Sequence, residues 1–226
     1  MTDLPAAVLW DMDGTIIDTE PYWMDAETAL VESYGGTWNH EHALTLVGQG
    51  LWFSAEVLQS RGVALSQDEI IAHLTDEVLD RVRTGGLPWR PGARELLQEL
   101  RQAEIPTALV TMSIRRLATA VADAIDFEAF TVIVAGDDVE HAKPHPAAYL
   151  RAAELLGVNP ADCVAIEDSG PGVAAAEASG AATIGVPLNV PLAATGAVTI
   201  WPTLAGRSVA DLSAVLAEAQ GARKPA

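Results

Sequence analysis

The sequence predicts an α/β protein with a parallel sheet core and an inserted all-helical segment. Three observations support this fold class. Short apolar runs recur along the chain, segments with helical spacing separate them, and one long segment, residues 19–84, shows helical patterns but no strand pattern. Alternation of strands and helices is typical of a parallel sheet that is covered by helices on both faces.

Six apolar runs predict the strands. Each run is continuous rather than alternating, as expected for a strand that is buried on both faces of a sheet, and turn residues bound it. β-Branched residues, which favour strands, are frequent in these runs. The runs are residues 8–10, 107–111, 132–135, 164–167, 182–186 and 198–201.

Apolar residues at helical spacing follow Pro91 and again Pro146, and proline is favoured in the first turn of a helix. The second of these helices should end at Gly157, because glycine readily terminates helices. The apolar residues are Ala93, Leu96, Leu97 and Leu100 in the first helix and Tyr149, Leu150, Ala153 and Leu156 in the second.

The strand-free segment divides the chain into two predicted parts. We expect a catalytic core of residues 1–18 and 85–226, an all-helical cap domain of residues 19–84, and hinges near residues 16–20 and 83–90. Paired and single glycines punctuate the cap segment, as they do at turns between helices. The clearest apolar stripe of the cap segment comprises Ile70, Ile71, Leu74, Val78, Leu79 and Val82.

The start of the cap segment carries two further predictions. Thr19 should cap the first cap helix, because threonine is a favoured N-cap residue and Pro21 follows near the first helical position. Glu20 lies between them, close to the first predicted strand. It is therefore a candidate for contact with a bound ligand.

The composition limits the partners of the protein. Half of the 226 residues are hydrophobic, and the formal net charge is −18, so we expect no binding to nucleic acid or to anionic membrane surfaces. No apolar run approaches the roughly 18 residues of a membrane span. A single cysteine, Cys163, excludes an intrachain disulfide, and the N-terminus has no basic segment typical of a signal peptide. We expect a cytoplasmic protein with a small-molecule partner; the sequence does not indicate an oligomeric state.

Two carboxylates follow the first predicted strand. Ligands of open parallel sheets bind beyond the carboxyl ends of the strands, and Asp11 lies at such an end. A carboxylate there can act as a nucleophile. Asp13, two residues later, can act as a general acid and then as a general base, and Gly14 permits a tight turn. The alternative is an Asx-turn that closes the strand and has no catalytic role.

The second and third strand ends add groups that suit a phosphate. Thr111 ends the second run and is followed by Met112 and Ser113, which offer a hydroxyl and backbone amides. Lys143, next to Pro144, is the only lysine of the chain besides Lys224 near the C-terminus. A fixed cation at this position can stabilise both a carboxylate nucleophile and a phosphoryl oxygen.

The fourth strand end carries Glu167 and Asp168. Carboxylates are hard oxygen ligands of the kind that Mg²⁺ prefers. Each of the four motifs alone also fits an ordinary strand cap, surface charge or turn. Together they place a nucleophile, a hydroxyl, a cation and metal-binding carboxylates at four strand ends in chain order.

These motifs resemble those of the haloacid dehalogenase superfamily, in the subgroup with a helical cap inserted after the first motif (subfamily IA), which contains phosphatases and β-phosphoglucomutases. The resemblance covers nearly the whole chain and implies a Rossmann-like core. The matching residues are Asp11, Asp13, Gly14 and Thr15 in the first motif, Thr111 in the second, Lys143 and Pro144 in the third, and Glu167 and Asp168, continued by SGPGVAAAEASG, in the fourth.

The resemblance also implies the chemistry. Mg²⁺ would be held by Asp11, the backbone carbonyl of Asp13, and Asp168, with Glu167 nearby. The reaction would pass through an aspartyl-phosphate on Asp11. Thr111 and Lys143 are then catalytic, and Gly14, Met112, Ser113 and Glu20 are candidates for contact with the phosphate or substrate.

Departures from the family patterns discriminate between its reactions. Dehalogenases lack the second aspartate, which is present here as Asp13, and phosphonatases need a cap lysine, which residues 19–84 do not contain. A β-phosphoglucomutase-type mutase remains the alternative. Its hinge histidine aligns with Trp23 and its cap arginine approximately with Leu51. We therefore expect a Mg²⁺-dependent phosphatase that acts on a small phosphate monoester, such as a sugar phosphate; a non-catalytic module that binds metal or phosphate is the less favoured third hypothesis.

Two aromatic residues of the cap segment have two interpretations. Trp52 and Phe53 follow a glycine-containing loop at residues 48–50. They could line the substrate pocket, since pockets are often lined by aromatic side chains. Packing between the cap and the core is the alternative.

Overall fold

The computed structural model describes residues 4–192 and 198–223. It contains a six-stranded parallel sheet in the order β3-β2-β1-β4-β5-β6. Every predicted apolar run forms a strand whose ends agree with the prediction to within one residue. The strands are β1 Ala7–Trp10, β2 Thr107–Val110, β3 Val132–Val134, β4 Cys163–Glu167, β5 Ala182–Gly185 and β6 Val198–Ile200.

Helices connect the strands, and the two helices predicted after Pro91 and Pro146 are present. Gly157 adopts the left-handed conformation at the end of the second, as predicted. Two 3₁₀ turns, at Gly136–Asp138 and Pro160–Asp162, complete the regular structure. The α-helices are α1 Glu20–Ser33, α2 His40–Leu44, α3 Leu51–Ser60, α4 Gln67–Gly85, α5 Ala93–Gln102, α6 Arg115–Asp123, α7 Ala147–Leu156, α8 Gly170–Ser179 and α9 Val209–Arg223.

The central strand β1 shows why the apolar runs are continuous. Its alternate residues point to opposite faces of the sheet. Ala7 and Leu9 belong to one apolar cluster, and Val8 and Trp10 belong to the other. All four side chains are fully buried. A strand that packs against helices on both faces has no position for a polar residue until it ends.

The strand order places three strand ends side by side. β1 pairs with β2 on one side and with β4 on the other, so Trp10 lies opposite both Leu109 and Ile166. The chain therefore leaves all three strands at nearly the same level, at Asp11, Thr111 and Asp168. The strand order reverses here, which creates a crevice at the carboxyl edge of the sheet.

The segment between β1 and α5 contains only helices, α1 to α4, as predicted. Its two connections to the rest of the chain pair with each other in antiparallel fashion. The backbone amide of Asp18 donates to Pro88, and that of Arg90 donates to Ile16, both at 2.8 Å. The division into a core and a cap at residues 19–84 stays a proposal, and this paired connection supports it. No helix within the described residues is long and apolar enough to cross a membrane.

The apolar stripe of α4 generates a prediction about stability. Leu74 is 1% exposed within this stripe, whereas Leu150 of α7 is 42% exposed. Leu74→Ala should lower the free energy of unfolding by about 2–5 kcal/mol, because it removes buried methyl groups and leaves a cavity. Leu150→Ala should change it by less than about 0.5 kcal/mol. Urea unfolding of both variants checks this; equal losses would contradict the packing described for α4.

Candidate active site

Lys143 joins the ends of three strands through one ammonium group. Its Nζ donates to Asp11 Oδ1 and to Glu167 Oε1, both at 2.6 Å, and to the carbonyl oxygen of Val110 at 3.0 Å. The side chain is buried. Burial by itself would lower the pKa of Lys143, but the carboxylates of Asp11 and Glu167 outweigh it and raise the pKa above its ordinary value. Lys143 is therefore a permanent cation at this site.

Glu167 accepts hydrogen bonds at both carboxylate oxygens. Oε1 accepts from Tyr149 Oη at 2.7 Å as well as from Lys143. Oε2 accepts from the backbone amide of Asp168 and from Ser169 Oγ, both at 3.2 Å. Four donors leave this carboxylate well satisfied. Its position is thus fixed by the protein alone.

The neighbouring carboxylates of Asp11 and Asp168 are not satisfied in this way. Oxygens of Asp11, Glu167 and Asp168 lie within 4.8 Å of one another. Asp11 Oδ2 and Asp168 Oδ2 are buried and accept no hydrogen bond from the described residues. Buried polar atoms are normally paired, so two such oxygens in a cluster of three carboxylates fit a hard divalent cation.

The electrostatics of this cluster favour the binding of a further positive charge. Burial, followed by the charge of Glu167, raises the pKa of Asp11 to about 7. Burial, followed by the charges of Asp11 and Glu167, raises the pKa of Asp168 well above its ordinary value. Two carboxylates that resist ionisation while Lys143 is already paired indicate that a second cation is needed to keep both charged.

Asp13 lies under the first helix of the inserted segment and accepts hydrogen bonds from four side chains. Thr19 Oγ1 and Trp23 Nε1 donate to Oδ1, the latter at 3.2 Å. Ser113 Oγ and Thr111 Oγ1 donate to Oδ2 at 2.7 and 3.3 Å. The carboxylate therefore links α1 to the loop after β2.

Thr19 is the N-cap residue of α1 and Pro21 lies in the first turn, as predicted, but the expected capping hydrogen bond is absent from this part of the chain. The side chain of Thr19 accepts no bond from the helix. Its hydroxyl donates to Asp13 instead. The carboxyl oxygen of Asp13 offers an acceptor to this hydroxyl, and Pro21 in the first turn has no amide for a cap to satisfy.

The loop after β2 is buried and folds onto Lys143. The backbone amide of Ser113 donates to Thr111 Oγ1 at 3.0 Å, and the amide of Lys143 donates to Met112 Sδ at 3.3 Å. All three loop residues line the same cavity as Asp11. Their predicted contact with phosphate stays a proposal.

The cavity has a second wall from the inserted helices. Glu20, Trp23 and Glu27 lie at helical spacing on one face of α1, and Gln49 adds a carboxamide from the loop before α3. The residues after β1, β2 and β4 form the opposite wall. Among the lining residues, Lys143 is the only lysine or arginine. The wall formed by α1 is thus acidic and apolar.

Two buried carboxyl groups on that wall have raised pKa values. Burial, followed by the charges of Asp13 and Glu27, raises the pKa of Glu20 to about 8. Burial raises the pKa of Glu27 to about 7, although a hydrogen bond from Trp38 Nε1 at 3.2 Å opposes this shift. Near neutral pH both groups therefore carry less than their full charge.

Sequence reasoning missed several residues of this site. In the sequence Tyr149 fits only the apolar stripe of its helix, Trp23 marks only the position of a mutase histidine, and no motif contains Glu27. For Glu27 a signal exists, because it follows Glu20 and Trp23 at positions i+7 and i+4 on the buried face of α1. A charged residue on a buried helical face is unusual unless it has a partner or a function.

The structure contradicts the interpretation that Trp52 and Phe53 line the substrate pocket. Neither residue lines the cavity. Trp52 is 39% exposed and donates to Asp68 at 3.3 Å, and Phe53 is 50% exposed. Trp52 lines a separate cleft together with Arg116 of α6. These aromatic residues therefore lie at the surface and away from the acidic cluster.

Gly14 makes the close approach of Asp168 possible. Its φ angle is +84°, in the left-handed region, and a Cβ atom added to it would lie 2.1 Å from Asp168 Oδ2. No side chain fits there unless Asp168 moves. The glycine of the first motif thus makes room for a carboxylate of the fourth.

Comparison with known proteins identifies the family. The haloacid dehalogenase-like hydrolase family matches residues 5–180. The bifunctional riboflavin kinase/FMN phosphatase of Arabidopsis thaliana is 32% identical over 81% of this chain, which spans only 49% of that protein. The phosphorylated carbohydrates phosphatase of Thermotoga maritima is 35% identical over 77% of this chain and 81% of its own length.

A solved structure agrees with this comparison. CbbY from Rhodobacter sphaeroides, crystallised in complex with phosphate, superposes with a TM-score of 0.83 at 27% identity, over 92% of this chain and 99% of that chain. The chain therefore belongs to the haloacid dehalogenase-like hydrolase family, as its motifs predicted. Within that family it is an enzyme of the phosphoric monoester hydrolase class.

The position of Gly14 predicts an effect on metal binding. Gly14→Ala should weaken Mg²⁺ binding about 10–100-fold, because the added Cβ displaces Asp168. Gly35→Ala is the matched control: its φ angle is +76°, but no atom lies within 4 Å of the added Cβ. Both variants share the backbone strain, and only the first should lose affinity in a calorimetric Mg²⁺ titration. Equal affinities of the two variants would contradict the contact.

The buried carboxyl group of Glu27 predicts a pH effect on stability. Its pKa is about 7 in the folded protein against an ordinary value of 4.5, so its ionisation destabilises the fold as pH rises from about 4.5 to about 7. Glu27→Gln should remove this destabilisation, so above pH 7 its free energy of unfolding should exceed that of the wild type by up to about 3 kcal/mol. Urea unfolding at pH 5 and pH 8 measures it. Glu32→Gln, at an exposed position of α1, should show no such gain.

Proposed function

We propose that this enzyme is a Mg²⁺-dependent phosphatase that hydrolyses a small phosphate monoester, such as a sugar phosphate, through an aspartyl-phosphate on Asp11. One observation carries the proposal. Asp11 and Asp168 each carry a buried carboxylate oxygen that accepts no hydrogen bond from the described residues, and the buried ammonium of Lys143 pairs with the other oxygen of Asp11. Asp13 lines the same cavity. The Thermotoga maritima relative is named a phosphorylated carbohydrates phosphatase, which supports sugar phosphates as the substrate class.

The residues that would hold the metal are Asp11, Asp168 and the backbone carbonyl of Asp13. Bound there, Mg²⁺ would supply positive charge that offsets the repulsion between the carboxylates and a phosphate. We assign Glu167, a predicted metal residue, mainly to holding Lys143, because both of its oxygens already accept hydrogen bonds from the protein. Lys143 would stabilise both Asp11 and a phosphoryl oxygen.

The first half-reaction follows from the position of Asp11. A carboxylate oxygen of Asp11 attacks phosphorus, the bond between phosphorus and the ester oxygen breaks, and Asp13 gives its proton to the departing alkoxide. Thr111 and Ser113 donate to Asp13 and hold it at the cavity. The product alcohol then leaves a phosphorylated Asp11 behind.

The second half-reaction returns the enzyme to its starting state. Asp13 removes a proton from water, the water oxygen attacks phosphorus, and the bond to Asp11 breaks, which releases inorganic phosphate. Acid–base help of this kind is worth about 10²–10⁴-fold in rate. We assign phosphate contacts to Met112 and Ser113, which line the cavity, and to Gly14, which lies in the turn after Asp13. We assign contact with the leaving group to Glu20, which lies on the opposite wall.

The walls of the cavity favour water, rather than a sugar phosphate, as the acceptor of the phosphoryl group from Asp11. Trp23, which aligns with the mutase histidine, is engaged with Asp13. The arginines of residues 19–84 do not line the cavity. Arg61 lies over the ring of Trp38, and Arg81 pairs with Asp25. A mutase must hold a second phosphate, and no cation of this wall is available for it.

The proposed nucleophile gives a direct test. Asp11→Asn should lower phosphate release from p-nitrophenyl phosphate by at least about 10⁴-fold, because an amide cannot form the phosphorylated intermediate. Chelation of Mg²⁺ should abolish the wild-type activity. Asp126→Asn is the control: Asp126 is exposed and lies outside both the inserted helices and the cavity, so this variant should keep full activity. Circular dichroism should show all variants folded; an active, folded Asp11→Asn would overturn the mechanism.

A further inference from the structure

We propose that Glu27 determines specificity by binding a hydroxyl group of the leaving group, so that this enzyme selects phosphate monoesters of sugars and polyols over esters that carry a second anion. The proposal rests on the proposed phosphatase function and names the substrate class of that site. It concerns a residue outside the four motifs. Glu27 contributes no group to the chemistry on phosphorus.

The position of Glu27 is that of a residue facing the substrate. It is 6% exposed and lines the cavity that holds Asp11 and Asp13. It lies about two turns beyond Glu20 on the same face of α1, so it is further from the strand ends than Glu20 is. A phosphate bound at the strand ends would direct its alcohol portion toward this face.

The contacts of Glu27 fix the carboxyl group and leave capacity for a ligand. Trp38 Nε1 donates to Oε2 at 3.2 Å. The ring of Trp38 packs against His42, with centroids 5.2 Å apart, and under the guanidinium of Arg61. Within residues 4–192 and 198–223, no lysine or arginine forms an ion pair with Glu27. A buried carboxyl group can accept several hydrogen bonds, so further donors would satisfy it.

The charges around Glu27 exclude a second anion. A carboxylate or phosphate on the alcohol portion would lie against Glu20 and Glu27, and no described residue of this wall is a lysine or arginine that could offset the repulsion. Lys143, the one cation on the cavity wall, is already engaged with Asp11 and Glu167. Repulsion of this kind is a recognised route to specificity.

A hydroxyl group suits this wall better than an ammonium group does. Hydroxyls both donate and accept, so they pair with a carboxyl group in either protonation state. Met24 and Leu46 line the same cavity and would make the desolvation of an ammonium costly.

The test compares leaving groups across variants of one residue. Rates of phosphate release are measured with sorbitol 6-phosphate, phosphoglycolate, O-phosphoethanolamine and p-nitrophenyl phosphate, all with Mg²⁺. Glu27→Leu should lower kcat/KM for sorbitol 6-phosphate by about 10–100-fold, because the hydroxyl loses its partner. With p-nitrophenyl phosphate, which has no hydroxyl, kcat/KM should change by less than about threefold.

Two further variants separate hydrogen bonding from charge and from folding. Glu27→Gln keeps a hydrogen-bonding group without charge, so it should retain most activity on sorbitol 6-phosphate and gain activity on phosphoglycolate. Trp38→Phe keeps the carboxyl group of Glu27 but removes the indole N–H that donates to it. This variant should also reduce the preference for sorbitol 6-phosphate over p-nitrophenyl phosphate. It therefore tests the proposal even if Glu27→Leu does not fold. Glu32→Leu, at an exposed position of the same helix, is the control and should change none of these ratios.

Each contrary outcome has a distinct meaning. Equal losses on all four esters in Glu27→Leu, or no loss on any, would overturn the assignment of Glu27 while the phosphatase proposal stands. If the wild-type enzyme prefers O-phosphoethanolamine and Glu27→Gln abolishes this preference, Glu27 recognises an ammonium group rather than a hydroxyl group. This result would also overturn the assignment. If the wild-type enzyme releases phosphate from none of the esters, the phosphatase proposal fails and the specificity assignment fails with it.

Discussion

The site depends on one buried ammonium group held between two carboxylates. Lys143 bonds to Asp11 at the end of β1 and to Glu167 at the end of β4. Removing one partner of a buried pair typically costs about 3–5 kcal/mol, because the remaining charge is left without compensation. Asp168 adds a third carboxylate, and a single ammonium group cannot neutralise three negative charges. The excess negative charge is the physical reason why this edge of the sheet fits a divalent cation.

The sheet makes this concentration of charge possible. Because β1 lies between β2 and β4, three strand ends deliver polar groups to one crevice, while the strands below are buried in two apolar clusters. The rigid strands hold the carboxylates close together against their repulsion. Gly14 completes the arrangement, since any larger residue would meet Asp168. Charge is thus concentrated only where the chain leaves the apolar core.

The sequence allowed the six strands and their parallel arrangement to be predicted, because buried strands are continuous apolar runs. Asp11, Thr111 and Asp168 follow directly after their strands, whereas Lys143 lies nine residues beyond the end of β3 and reaches the site through its long side chain. The partners of Asp13 could not be predicted in the same way. That Thr19 and Trp23 donate to it depends on how α1 lies over the crevice, which no local pattern specifies. The apolar periodicity that located the helix of Tyr149 gave no sign that its hydroxyl binds Glu167.

Helix α1 links two tasks that the motifs alone would leave separate. Thr19 and Trp23, at its beginning, donate to Asp13, the proposed proton donor. Glu27, one turn further along the same face, is the proposed contact of the alcohol portion. A helix moves as a rigid element, so seating of the alcohol against Glu27 also fixes the groups that hold Asp13. Binding energy from a part of the substrate remote from phosphorus can then position the proton donor, which is how remote contacts raise kcat rather than only lower KM.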